Sequence, residues 1–148
     1  MKLRHMMFAA VACASLSFAG AASAHDLGFA GLLSKGNKGE MPELTLAAGK
    51  PVSAEGAITL ESGKYYEMEI KGDGSAELAL HGSGFFRAIW VDEVVVNDLE
   101  IRPIGIDSIE FDDAGEMEIG FIAIKPGTYR LSIPGSTGET QGVDITIK

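Results

Sequence analysis

The stretch that decides the fold is residues 116–134, EMEIGFIAIKPGTYRLSIP, near the end of the 148-residue chain. Apolar and polar side chains alternate on both sides of its centre. The apolar residues that share a phase are Met117, Ile119, Phe121 and Ala123 in the first run and Tyr129, Leu131 and Ile133 in the second. A period of two predicts two strands, each with one buried face. The turn Lys125-Pro126-Gly127 between them predicts a hairpin, because proline presets φ and glycine adopts conformations that other residues avoid.

The same alternation recurs upstream and at the C-terminus in short runs separated by turn residues. The predicted strands lie within residues 44–46, 58–60, 64–71, 78–80, 91–96, 99–101, 109–111 and 142–148. Residues 84–90 break the alternation and predict either a helical turn or a bulge. Many short strands without a sustained helical period are typical of an all-β sandwich or barrel. No repeat or linker divides residues 42–148, so we expect one domain.

The first residues have the pattern of a signal peptide. Lys2 and Arg4 precede a mostly apolar stretch over residues 6–22, and Ala22-Ser23-Ala24 has the small-x-small pattern of a cleavage site. The apolar stretch is too short for a membrane span, and no other stretch reaches the necessary length. We therefore expect cleavage of residues 1–24 and export to a periplasm.

Residues 25–41, HDLGFAGLLSKGNKGEM, are rich in glycine and show no period. We expect an irregular arm, with Phe29, Leu32 and Leu33 packed against the domain.

The charge of the chain limits its partners. Residues 1–24 contain two of the 12 basic residues and none of the 21 acidic ones, so cleavage would change the net charge from −9 to −11. Binding to nucleic acid or to anionic membranes requires clustered Lys and Arg, which this composition does not favour. An acidic protein instead attracts cations or a basic partner.

The single cysteine, Cys13, lies within the expected signal peptide. The mature chain would therefore have no disulfide, no catalytic thiol and no thiolate metal ligand.

Several motifs of the mature chain occur in the order that a known fold family uses. They are Gly63-Lys64-Tyr65-Tyr66, Phe85-Phe86-Arg87, Ile109-Glu110-Phe111-Asp112-Asp113, Lys125-Pro126-Gly127-Thr128-Tyr129, and Gly142 before the last strand. In this order, residues 44–148 resemble the cupredoxin-like domains of exported bacterial proteins. The resemblance implies a Greek-key β-sandwich and a context of copper binding.

The resemblance also implies where copper ligands would lie. In that family, the strand after the Pro-Gly-Tyr turn ends in a Cys, a His follows closely, and a Met beside a glycine comes later. The matching residues here are Ile133, Ser136 and Val143. A blue-copper centre needs a thiolate and two imidazoles. The sequence therefore argues against a blue-copper site.

A different copper site is suggested by the mature N-terminus. Cleavage after Ala24 would leave His25 as the first residue, and its terminal amine and imidazole could chelate Cu(II). A second histidine completes the histidine brace of some exported copper proteins. His81 is the other histidine of the mature chain, and Asp26 could add a carboxylate. The alternative interpretations are a chance terminal histidine and a surface histidine at a strand end.

Three other groups of residues favour ordinary structural roles. The acidic residues 107–118 lack the spacing of a calcium-binding loop and are typical of a turn and a solvated strand face. The aromatic residues Tyr65, Tyr66, Phe85, Phe86 and Trp90 favour core packing. The Gly/Ser/Thr-rich loop 134–142 is either a plain connection or a binding loop.

The sequence predicts no catalytic triad and no enzymatic activity. We expect a periplasmic accessory protein that binds a protein partner or a small ligand through the loops at one end of the sandwich. The alternative hypothesis is copper binding or delivery by His25 and His81. An oxidative copper enzyme that uses the same two histidines is the remaining, least favoured alternative.

Overall fold

A computed structural model describes residues 27–148; the expected signal peptide, His25 and Asp26 lie outside the described residues. Short strands and one helical turn make up the regular structure of this part of the chain. They are β1 (Leu44–Leu46), β2 (Ile58–Leu60), β3 (Tyr65–Gly72), β4 (Leu78–His81), α1 (Ser83–Phe86), β5 (Ile89–Val96), β6 (Leu99–Ile101), β7 (Ser108–Phe111), β8 (Gly115–Ala123), β9 (Gly127–Ser132) and β10 (Gly142–Ile147). The predicted all-β class is confirmed.

Two five-stranded sheets pack face to face. Sheet A has the order β1-β3-β8-β5-β6, and sheet B has the order β2-β10-β9-β4-β7. Both are mixed, because β1 pairs parallel to β3 and β2 pairs parallel to β10. The alternating apolar residues of both sheets fill the space between them. Phe121 at the centre stacks against Tyr66 and contacts Phe85 edge to face. The architecture is therefore a β-sandwich with one continuous core.

The prediction of a hairpin at residues 116–134 is wrong. The two strands form as predicted, but β8 belongs to sheet A and β9 to sheet B, so the Lys125–Gly127 turn crosses from one sheet to the other. The Tyr129 hydroxyl secures this crossing by donating to the carbonyl oxygens of Lys125 and Pro126, at 2.9 and 3.3 Å. Alternation is the same for a strand that turns back in its own sheet and for one that crosses to the facing sheet.

Of the two structures predicted for residues 84–90, the helical turn is the one that forms there. Ser83–Phe86 form one helical turn, which buries Phe85 and Phe86. The bulge lies just beyond, where the β5–β8 register shifts between Val91 and Glu93. At the other end of β5, Asn97 and Asp98 have φ of 49° and 63°, the conformation of a two-residue hairpin turn that leads into β6.

The arm is irregular, as predicted, with short 3-10 turns at Gly31–Leu33 and Lys35–Asn37. Its attachment depends on Asn37, which is only 9% exposed and donates from Nδ2 to the carbonyl oxygens of Leu32 and Gly63, at 2.8 and 2.7 Å. The packing predicted for Phe29, Leu32 and Leu33 is wrong, because Phe29 is fully exposed and the two leucines are also exposed, at 42% and 46%.

The core packing predicted for Tyr65 and Trp90 is also wrong. Tyr65 is out of phase with the buried residues of β3 and lies outside the core. Trp90 is half exposed, because it alternates out of phase with the buried residues of β5 and lies on the outer face of sheet A. Among residues 27–148, no helix is long and apolar enough to cross a membrane.

Candidate functional site

The three residues at the family's copper-ligand positions form no metal centre. Ile133 and Val143 are buried in the core, at 6% and 3% exposure. The Ser136 hydroxyl donates to the carbonyl oxygen of Ile133 at 2.6 Å, which closes the turn that follows β9. These side chains offer hydrocarbon and one engaged hydroxyl, so they do not fit a blue-copper ion.

His81 lies beside this position but on the other side of the sheet. It is the last residue of β4, is exposed, and pairs with Ser132 of β9. The next residue of the chain after Ser132, Ile133, points into the core, so alternation directs His81 toward the outer surface of sheet B. No group of three metal-ligating side chains within residues 27–148 includes His81. The predicted partners His25 and Asp26 are outside the described residues, so the three-residue copper site stays a prediction.

The loop 134–142 does line a cleft, on the outer side of sheet B. The cleft has a volume of about 490 Å³ and lies between the β1–β2 connection and the start of β10. Its lining residues are Ser53, Gly56, Ala57, Arg130, Glu139, Thr140, Gly142, Val143 and Asp144. The loop is held by backbone bonds, since Val52 N–H donates to Thr140 and Ile133 N–H donates to Gln141, both at 2.9 Å. The cleft is therefore formed by anchored backbone.

Arg130 is the central charged group of this cleft. In the β9–β10 register it lies directly opposite Asp144, and its guanidinium donates to Asp144 Oδ1 at 3.0 Å. Its second terminal nitrogen donates to the carbonyl oxygen of Glu139 at 2.7 Å. The guanidinium can occupy this position because residue 142 is glycine. A Cβ at residue 142 would lie 2.9 Å from the Arg130 Nη2 atom. Two contacts fix the arginine and leave three of its five N–H donors for other partners.

Ser53 also lines the cleft, and its hydroxyl group is unsatisfied within residues 27–148. It is 7% exposed, and its hydroxyl has no hydrogen-bond partner within the described part of the chain. Buried hydroxyls are normally satisfied, because an unmade hydrogen bond costs about 1–3 kcal/mol.

The arrangement suits binding rather than acyl transfer. The Ser53 hydroxyl has no base beside it, and neither of the charged side chains that line the cleft with Arg130, namely Glu139 and Asp144, is paired with a nucleophile. One guanidinium and two carboxylates instead face a small space at the surface.

A separate acidic group lies at the opposite edge of sheet B. The ligating atoms of Glu77, Glu110 and Asp112 lie within 4.8 Å of one another, and all three residues are exposed. A hydrogen bond to Glu110, and then the charges of Glu110 and Asp112, raise the pKa of Glu77. Exposed carboxylates at this spacing do not by themselves define a metal site.

The outer face of sheet A is also acidic. Tyr65 lies across Gly120 there, and burial, followed by the charges of Glu93 and Asp92, raises the pKa of the Tyr65 hydroxyl. Burial also raises the pKa of Glu118, and its neighbouring glutamates add to the effect. Arg102 offsets part of this charge, with ion pairs to Glu93 at 2.7 Å and to Glu100 at 3.0 Å.

Sequence comparisons give no relative for the chain: no protein-family model matches it, and no curated protein matches it. Solved structures do resemble it. A multicopper oxidase from Campylobacter jejuni, described as a metallo-oxidase, matches 75% of this chain with a TM-score of 0.52 and 10% identity. A multi-copper oxidase from Pseudomonas thermotolerans matches 76% of it with a TM-score of 0.51 and 13% identity. Each match covers 30% of the oxidase chain. At these identities the likeness concerns the fold alone: residues 27–148 adopt a cupredoxin-like β-sandwich.

Proposed function

We propose that this chain is an exported periplasmic accessory protein that lacks a blue-copper site and binds a small polar ligand in the cleft beside loop 134–142. The observation that carries the proposal is the fixed Arg130 guanidinium, which lines the cleft together with Glu139 and Asp144. Arg130 is held by Asp144 and the Glu139 carbonyl oxygen. Small-ligand sites characteristically place a few polar groups in such a preformed recess.

The charges of the cleft favour a zwitterionic ligand. A carboxylate can accept from the free N–H groups of Arg130, which suit planar anions. An ammonium group on the same ligand can then lie against Asp144 or Glu139. A purely anionic ligand would meet these two carboxylates without compensation, and a purely cationic one would meet the guanidinium. A free amino acid or dipeptide has the required pair of charges.

The proposal is tested by NMR titration of the ¹⁵N-labelled mature protein with glycylglycine and with its N-acetylated, C-amidated counterpart. We expect shifts confined to the residues around Ser53, Arg130 and loop 134–142, for the zwitterion alone. Arg130→Gln should abolish them. The matched control is Arg102→Gln, which removes an arginine with the same kind of ion pairs from the other sheet. Equal shifts with the blocked dipeptide, or shifts that survive Arg130→Gln, would contradict the proposal.

The second candidate function is copper binding by the mature N-terminus. It is favoured by the exposure of His81 at the end of β4, where its imidazole is accessible from solvent. We propose that His25 would chelate Cu(II) with its terminal amine and imidazole, with His81 and Asp26 as additional ligands.

Mass spectrometry of the exported protein and a Cu(II) titration test this candidate together. The mature chain must begin at His25, and both His25→Ala and His81→Ala should weaken binding at micromolar copper. Loss of binding in His25→Ala alone would exclude the two-histidine site. An intense blue colour would contradict the proposal that the protein lacks a blue-copper site.

A further inference from the structure

One edge of the sandwich exposes side chains from the face that elsewhere forms the core. Ile101 and Leu99 of β6 pair with Val94 and Val96 of β5, so the four side chains share one face of sheet A. Val94 is 8% exposed and belongs to the core, whereas Ile101 is 45% and Leu99 62% exposed. Apolar residues on the inner face of β6 therefore remain uncovered by sheet B.

A cleft continues from these side chains. It has a volume of about 410 Å³ and lies between the end of β5, strand β7 and the start of β8. Met117, which is 8% exposed, lies at its base, and Ile109 and Phe111 are partly buried along its side. Val96 lines the cleft and is the cross-strand neighbour of Leu99. The apolar side chains of β6 therefore adjoin the cleft through this strand pair, and we call the cleft and the inner face of β6 together the groove.

The rim of this groove is acidic. Four of the residues that line the cleft carry carboxylates, and none of its lining residues is Lys or Arg. The four acidic residues are Glu110, Asp112, Asp113 and Glu116. Lys71 lies 3.8 Å from Glu116, but its closer ion pair is with Glu43 at 2.6 Å.

The backbone at this edge also has unused pairing capacity. β6 is the last strand of sheet A and β7 the last of sheet B, so each is paired on one side only within the described structure. A free strand edge can accept an extended segment from another polypeptide.

We propose that the groove between β6 and β7 docks an extended segment of a partner protein in which aliphatic side chains alternate with Lys or Arg. The aliphatic side chains would cover Leu99 and Ile101 and enter the cleft. The basic side chains would face Glu110, Asp112 and Glu116. This surface is separate from the cleft around Arg130 and does not depend on the ligand proposed there.

Charge decides against a second copy of this chain as the occupant. The chain carries a net charge of −9, and a symmetric dimer would bring two acidic rims together. Like charges opposed across an interface disfavour the complex. A basic segment would instead be attracted to the acidic rim, and the charge pairs would fix its alignment along the groove.

Fluorescence anisotropy with synthetic peptides tests the proposal on the mature protein. The probe is a labelled eight-residue peptide that alternates Lys and Val, compared with a Glu-Val peptide and a Lys-Ser peptide of the same length. We expect the Lys-Val peptide to bind at least about tenfold more tightly than either, because each of the others lacks one of the two complementary features. Chemical-shift mapping on the wild-type protein should place the peptide on β6 and β7.

Matched variants separate the groove from general attraction to an acidic protein. Ile101→Thr and Glu110→Gln should each weaken binding about fivefold or more, as expected for one buried aliphatic group or one charge contact. The controls are Ile124→Thr, at a residue with 47% exposure, and Glu69→Gln, at an exposed carboxylate of sheet A.

Three results would overturn the proposal. The first is an equal loss of binding in the controls, the second is equal affinity for the Lys-Ser peptide, and the third is a dimer in solution that Ile101→Thr dissociates. Thermal melting of each variant confirms that the variant is folded. If a variant does not fold, the chemical-shift map on the wild-type protein still decides where the peptide binds.

Discussion

Replacement of Gly142 by alanine tests the packing on which the proposed ligand cleft depends. A Cβ at this position would lie 2.8 Å from the Leu131 carbonyl oxygen, 2.9 Å from Arg130 Nη2 and 2.9 Å from the Ser132 Cβ. Favourable contacts between carbon atoms lie at about 3.5–4.0 Å. The oxygen belongs to the paired strand β9 and cannot swing away, so the β9–β10 pair must separate locally or the guanidinium must leave its position. Overpacking of this kind costs about 1–3 kcal/mol.

Urea denaturation followed by circular dichroism measures this cost. With a slope of about 2 kcal/mol per molar urea, the midpoint should fall by about 0.5–1.5 M. Dipeptide binding should fall as well, because Arg130 would lose its contacts with Asp144 and Glu139. Gly105→Ala is the matched control: no atom lies within 4 Å of its added Cβ, so its midpoint should stay within error of the wild type. A Gly142→Ala protein with the wild-type midpoint and wild-type binding would refute the contact geometry described for the cleft.

Three further predictions concern stability. Asn37→Ala should destabilise the protein by about 1–3 kcal/mol, because two backbone carbonyl oxygens lose their buried donor; urea denaturation measures the loss, and amide exchange at Gly63 should accelerate. Phe121→Ala should cost about 3–5 kcal/mol in the same assay, since the fully buried ring packs on two other aromatic rings, and a cost below 1 kcal/mol would mean that the core is not centred there. Glu118 has a pKa raised by burial above its ordinary value of 4.5, so its charged form is disfavoured in the folded state. At low pH, Glu118 is protonated in both the folded and the unfolded state and costs no stability. As pH rises through the raised pKa, the folded state must hold a charged, partly buried carboxylate, so the free energy of unfolding decreases. Glu118→Gln should therefore raise the melting temperature at pH 7 and change it little at pH 4; a rise of equal size at both pH values would point to a cause other than ionisation.

Strand positions were largely predictable from the sequence because each strand buries one face, so that apolar residues recur at every second position. The partners of the strands were not predictable in the same way. Asn97-Asp98 and Pro126-Gly127 are both strong turn signals, yet the first joins neighbours in sheet A and the second crosses between sheets. Both outcomes bury the same alternating side chains, so the pattern is compatible with either.

The candidate sites were harder to predict, because they depend on register and on contacts between distant segments. Arg130 and Asp144 are both polar residues out of phase with the buried positions, which the sequence does show. That they lie opposite each other follows from the β9–β10 register, and that Ser53 joins them follows from the β1–β2 connection. That Ile133, Ser136 and Val143 do not fit a blue-copper ion was predictable, because it depends on residue identity alone.

The order of the strands has a consequence for how the chain can fold and be divided. Within the described residues, the β5–β6 and β9–β10 connections remain in one sheet, and every other connection between successive strands crosses to the facing sheet. Neither sheet is therefore encoded by a contiguous segment. A cut anywhere between β2 and β8 divides both sheets, so such fragments should not fold alone, and unfolding should be a single cooperative transition. Most contacts join distant parts of the sequence, which also predicts folding on the slow timescale of milliseconds to seconds that is typical of all-β sandwiches.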